Sequence, residues 1–169
     1  MRSAMIDLGK ALDELADTDV VGLPDQDVRD ALPALLTAFN QISALVATVV
    51  ASFDTRDLSQ ADACKTTTAW LVAFGRMTGC AAASVLTRGR LLRELPALHA
   101  AATHGHASTE HVNRVVDLTH RVDLPTVKQF DTILADLAAA ARPADLATEP
   151  LRVLWRLGYP RLVSSVGVL

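Results

Sequence analysis

Four side chains within eight residues, His104, His106, Glu110 and His111, offer nitrogen and oxygen donors of the kind a divalent metal uses. Zinc needs three or four such ligands converging tetrahedrally. Here His104 and His106 flank Gly105, while Glu110 and His111 are helix neighbours pointing about 100° apart, with no cysteine close in sequence. They read as solvated loop histidines and a helix-start histidine, and no metal is expected. A second constellation is basic. The predicted helix pair over 67–75 and 80–95 has the proportions of a helix-turn-helix, whose second helix could enter a major groove while Arg76 in the turn and Arg88, Arg90 and Arg93 on that helix are candidate contacts to DNA phosphates. Counted around the second of these helices, however, Arg88 and Arg90 lie on opposite flanks of an apolar face made by Ala82, Val85, Leu86, Gly89 and Leu92, with Arg93 at its edge. Glu94, four residues after Arg90, allows an ordinary surface ion pair.

The carboxylates Asp13, Glu14, Asp17, Asp19, Asp25, Asp27 and Asp30 crowd the first third of the chain at helix ends and in a connection. General acid–base work needs partners with separated pKa values in a pocket, and these read as solvated. No serine sits in a GxSxG elbow, and neither a P-loop nor GxGxxG occurs. No catalytic residue, cofactor or small-molecule substrate is expected. Cys64 and Cys80 form no CxxC pair and cannot staple a chain of this size, so both read as reduced core or near-core thiols.

The elements that must carry these groups are helical. The 169 residues are 50% hydrophobic and only 4% aromatic, with the apolar content in Ala, Leu and Val, which favours helix-on-helix packing. A short amphipathic helix is predicted over 4–16. From Asp25 the residues Val28, Leu32, Leu35, Phe39, Ile42, Val46, Val49 and Phe53 alternate spacings of 4 and 3, a heptad seam on a helix of about 30 residues. The uncharged run Ala31–Phe53 is long enough to span a bilayer. It is interrupted by Pro33, Thr37, Asn40, Gln41, Ser43, Thr48 and Ser52 and lacks a basic flank, so a bundle core or a dimer seam is preferred to a membrane span.

Further helices are predicted from a Thr-capped start near Thr66 to Gly75, from about Cys80 to Leu95, over 97–102, from the Ser108 cap to about Arg121, and from Pro125 to Arg142 on the repeat Val127, Phe130, Leu134, Leu137 and Ala141. Two short pieces split by Pro150 follow. The fold class is all-α: a compact bundle of about seven or eight helices around one long helix, with a single domain over 1–148 and a divergent tail over 149–169.

Charge is segregated. Residues 1–62 hold 11 acids against 4 bases, residues 63–115 hold 2 against 6, and the remainder is balanced, within a net charge of −3. Contact with a polyanion is therefore expected only from the middle segment. The acidic first twenty residues are unlike a secretory or transit peptide, and the expected location is the cytoplasm.

In order along the chain, Trp70-Leu71, Leu95-Pro96, Gly105, Ser108 and His111 resemble the pattern of the actinobacterial domain of unknown function numbered 222, found in mycobacterial repeat-element proteins ahead of an HNH endonuclease domain. The resemblance spans roughly residues 8–148. It implies a nuclease-associated helical domain, and it stops where relatives run on through a basic helix toward the HNH module. Here the chain reads Leu151 to Pro160 and ends at Leu169, with no counterpart of the HNH histidines, asparagine or cysteine pairs. This resembles a truncated or frame-disrupted copy without nuclease activity. Two readings follow: a non-catalytic domain that assists binding of duplex DNA through Arg76, Arg88, Arg90 and Arg93, or a homodimerising module in which Leu35, Phe39, Ile42, Val46, Val49 and Phe53 form the seam.

Overall fold

The computed structural model describes residues 1–144 and Leu146; the expected tail over 149–169, with Trp155 and the pieces flanking Pro150, lies outside them. Among the described residues there are eight α-helices and no strand: α1 (Arg2–Ala16), α2 (Asp25–Thr55), α3 (Thr67–Ala73), α4 (Gly79–Glu94), α5 (Pro96–Thr103), α6 (Thr109–Thr119), α7 (Leu124–Gln129) and α8 (Asp131–Ala140). By internal contacts the chain falls into two compact units, Met1–Leu36 and the residues from Thr37 onward.

The first unit holds α1, a 3₁₀ turn at Val20–Gly22 and residues 25–36 of α2. The Asp19 carboxylate accepts from the amides of Val21 and Gly22, which caps the turn, and Asp25 and Asp27 sit at the positive end of the α2 dipole. Pro33 lies inside α2 without ending it.

In the second unit the remainder of α2 joins α3 to α8. A 3₁₀ turn at Leu58–Asp62 occupies the predicted polar connection. Threonines cap α3 and α4, with the Thr66 and Thr78 hydroxyls accepting from the amides of Ala69 and Ala81. Two later helix starts borrow partners from elsewhere in the sequence. Asp131 accepts from the amides of Ala97 (2.7 Å) and Leu98 (2.9 Å) at the start of α5, and Asn40 on α2 accepts from the amide of Thr109 at the start of α6. Each satisfies amides that the helix itself cannot. The most deeply buried large side chains are Leu92, Leu95, Leu98, Val115, Val127 and Leu134.

Three expectations are corrected. The helix predicted from Pro125 to Arg142 is two helices, because the chain breaks at Phe130 (φ −107°, ψ 10°); the break puts Asp131 at the head of α8, where its carboxylate reaches the start of α5. Cys80 is exposed, while Cys64 is partly buried. Arg90 pairs not with Glu94 but with Asp54 of α2, and Glu94 pairs with Lys128 and Arg93.

The α2–α4 crossing is close. Gly89 of α4 is buried against α2, and a Cβ on it would lie 2.1 Å from the Ala47 carbonyl oxygen and 3.0 Å from the Ala51 Cβ. Small residues therefore set this approach: Ala44, Ala47 and Ala51 are buried along one side of α2. The helix is also long and apolar enough, by length and composition, to cross a membrane, with 22% of its most apolar window buried. Its packed half is nevertheless tied by polar groups, with Thr48 Oγ1 3.0 Å from His99 Nε2 and Asp54 bonded to Thr67 and Arg90.

Candidate functional site

The heptad seam is not the bundle core. At 100° per residue, the side of α2 bearing Phe39, Ile42, Val46, Val49 and Phe53 is centred about 130° round the helix from the buried Ala44, Ala47, Val50 and Ala51. Phe39 is 63% exposed, Val46 39% and Val49 46%; Ile42 and Phe53 are partly buried. Leu35, also exposed, belongs to the first unit. The long helix thus carries two apolar faces of different character. The face of alanines can approach α4 closely, whereas the face of Phe, Ile and Val points outward.

The outward face extends beyond α2. The Phe53 ring lies 4.7 Å from that of Trp70, which lies 5.3 Å from that of Phe74, the residue that ends α3. Trp70 Nε1 donates to Asp62 at 2.8 Å, which leaves the rest of the indole to fill the space between the two phenylalanines. Phe74 is exposed. A continuous apolar strip therefore runs from Phe39 through Val46, Val49 and Phe53 to Trp70 and Phe74, all within the second unit. Periodicity alone revealed its α2 portion; the aromatic extension depends on the turn that brings α3 back beside Phe53.

The four arginines are not gathered on one surface. Arg76 is exposed on left-handed backbone (φ 53°). Arg88 is half-buried and donates to Asn113 Oδ1 at 3.2 Å; burial lowers its pKa, opposed by the Glu110 charge. Arg90 donates twice to Asp54 Oδ2, at 3.0 and 2.8 Å, and Arg93 donates to the Thr55 hydroxyl. Burial pushes the Asp54 carboxyl up, but the Arg90 and Thr67 hydrogen bonds and the charges of Arg90 and Arg93 bring it net below its ordinary value. Arg90 and Arg93 thus fasten α4 to the end of α2, and a phosphate would have to compete with those contacts.

The histidines are likewise separated. His104 and His106 are exposed, whereas His111 is buried. Its Nδ1 accepts from the Ser108 amide at 3.0 Å, completing a capping box with the Ser108 hydroxyl, and its Nε2 lies 2.9 Å from the Ala141 carbonyl oxygen. With Nδ1 accepting, Nε2 is the ring donor to Ala141 and ties the start of α6 to the end of α8. Among the described residues no group of three or more His, Cys, Asp or Glu is placed to hold a metal ion.

Comparison with known families matches residues 29–158 to the family described as Domain of unknown function (DUF222). No curated protein and no solved structure matches the chain.

Proposed function

The chain belongs to the DUF222 family, and we propose that its helical region is a non-catalytic self-association module whose partner is a second copy of the same strip. The observation that carries this reading is the outward-facing half of the α2 seam: large apolar side chains at heptad spacing that the core leaves exposed while alanines serve it instead. A heptad stripe is self-complementary, since its knobs fit the holes of an identical helix. The strip offers Phe39, Val46, Val49 and Phe74 exposed and Ile42, Phe53 and Trp70 partly buried, far fewer than the roughly 20–30 residues a side of a standard interface. The expected dimer is therefore weak, with a Kd in the micromolar range. On the resemblance to nuclease-associated copies, such a module would bring two DNA-acting partners together in the cytoplasm.

Sedimentation velocity across protein concentration tests the proposal. Wild type should pass from monomer to dimer, and Val46→Asp and Phe39→Asp should stay monomeric with unchanged far-UV circular dichroism, because both side chains face outward. A wild type that is monomeric up to ~100 µM refutes it. Duplex DNA is the rival partner. Binding at low salt that weakens steeply with added salt and is lost in Arg88→Ala would favour DNA over self-association as the role of this region.

A further inference from the structure

A groove of about 500 Å³ lies between α4 and α6. It is wide enough for a small molecule but open to solvent, and polar side chains from both helices share its lining with Ala83 and Val116. Ser84, Thr87 and Arg88 contribute from α4, and Glu110, Asn113 and Asp117 from α6. Arg114 and Asp117 pair directly at 3.5 Å, but the other two opposite charges of the lining, Arg88 and Glu110, are linked through a neutral group. Arg88 donates to Asn113 Oδ1 at 3.2 Å, and Asn113 Nδ2 donates to Glu110 Oε1 at 3.3 Å. A direct ion pair would have used both charges up. Instead a half-buried guanidinium, with five N–H donors, is given a carboxamide acceptor, and the Glu110 carboxylate keeps acceptor capacity one carboxamide away.

Such an arrangement complements a molecule carrying both signs of charge at short separation. A carboxylate on Arg88 would gain charge-assisted, fork-like hydrogen bonds where the guanidinium is partly desolvated. The Ser84 and Thr87 hydroxyls line the same wall and can donate to its oxygens. An ammonium beside it would meet Glu110. The charges of the lining balance, Arg88 and Arg114 against Glu110 and Asp117, with Arg114 3.5 Å from Asp117, so the groove is not the one-signed basic surface that a polyanion requires. We propose that the α4–α6 groove binds a zwitterion of amino-acid size, with its carboxylate on Arg88 and its ammonium on Glu110.

The test is a ¹⁵N–¹H NMR titration of the whole chain with pools of the standard amino acids at roughly 10 mM each, alongside acetate and methylammonium as half-ligands. At least one pool should shift amides of residues 83–88 and 110–117 saturably, and each half-ligand should bind about tenfold or more weakly. Glu110→Gln, at an exposed position, should weaken binding about tenfold with the spectrum otherwise intact, and Arg88→Met should abolish it. Absence of saturable shifts from every pool overturns the proposal. So does acetate binding as tightly as the amino acid, or a Glu110→Gln protein with unchanged affinity, since either would mean a plain anion site. If Arg88→Met fails to fold, the half-ligands and Glu110→Gln decide the question.

Discussion

Replacing Gly89 with alanine tests how closely α2 and α4 are packed. By helix propensity alone the change should stabilise α4 by about 1 kcal/mol. The structure reverses the sign. The added methyl would sit 2.1 Å from the Ala47 carbonyl oxygen and 2.9 Å from its carbon, both backbone atoms, so no side-chain rotation relieves the clash. The helices must separate by about 1 Å, and a gap of that size forfeits a quarter to a half of each dispersion contact along the crossing. It also strains the Arg90–Asp54 and Arg93–Thr55 contacts that join the same two helices. Overpacking of this kind costs typically 1–3 kcal/mol and more where backbone is struck, so the expected net loss is about 3 kcal/mol. For a chain of this size that is a fall in Tm of roughly 6–12 °C. Thermal and denaturant unfolding followed by circular dichroism measure it, with Gly79→Ala as the control: nothing lies within 4 Å of a Cβ there, and that variant should be neutral or slightly stabilised. A Gly89→Ala protein as stable as wild type would refute the close α2–α4 crossing and, with it, the assignment of the seam to the outer face.

Two further outcomes follow from nonlocal polar contacts. Asp131→Ala strips two amides at the start of α5 of their acceptor and should cost about 2 kcal/mol in denaturant unfolding, more than a local cap because no neighbouring residue can replace it. The Asp54 carboxyl, net lowered in the folded chain, adds stability that is complete above its unfolded value near 4 and fades as pH falls through the folded value. Unfolding midpoints measured from about pH 6 to pH 3 should therefore decline less steeply in Arg90→Met than in wild type, and equal slopes would contradict the pairing.

Much of the helical order is legible along the chain because its signals are local. Thr66 and Ser108 cap the helices they precede and Pro125 sits in the first turn of α7, as their types predict, while the Thr78 cap of α4 and Pro96 in the first turn of α5 are local signals missing from the sequence expectations. The apolar face of Ala82, Val85, Leu86, Gly89 and Leu92 on α4 is buried as its 3.6-residue period requires. The same periodicity ran through Phe130 and hid the break between α7 and α8, because the gain that favours the break, Asp131 at the head of α5, lies more than thirty residues away. The arginines show the same limit. Position on a helix identified the flanks of Arg88 and Arg90, but their partners Asn113 and Asp54 are 25 and 36 residues distant.

Sequence alone determined that the chain is helical, where most helices begin, and that α2 bears a heptad of large apolar residues. Each of these depends on side chains within one or two turns of each other. Only the tertiary structure decided which face of α2 is core. A face of alanines meeting a glycine allows two backbones to approach more closely than Phe and Ile can, so the smaller residues were drawn inward and the heptad was left outside. The groove between α4 and α6 has the same origin: it exists because two helices separated by α5 lie side by side, and no local pattern on either one records the other.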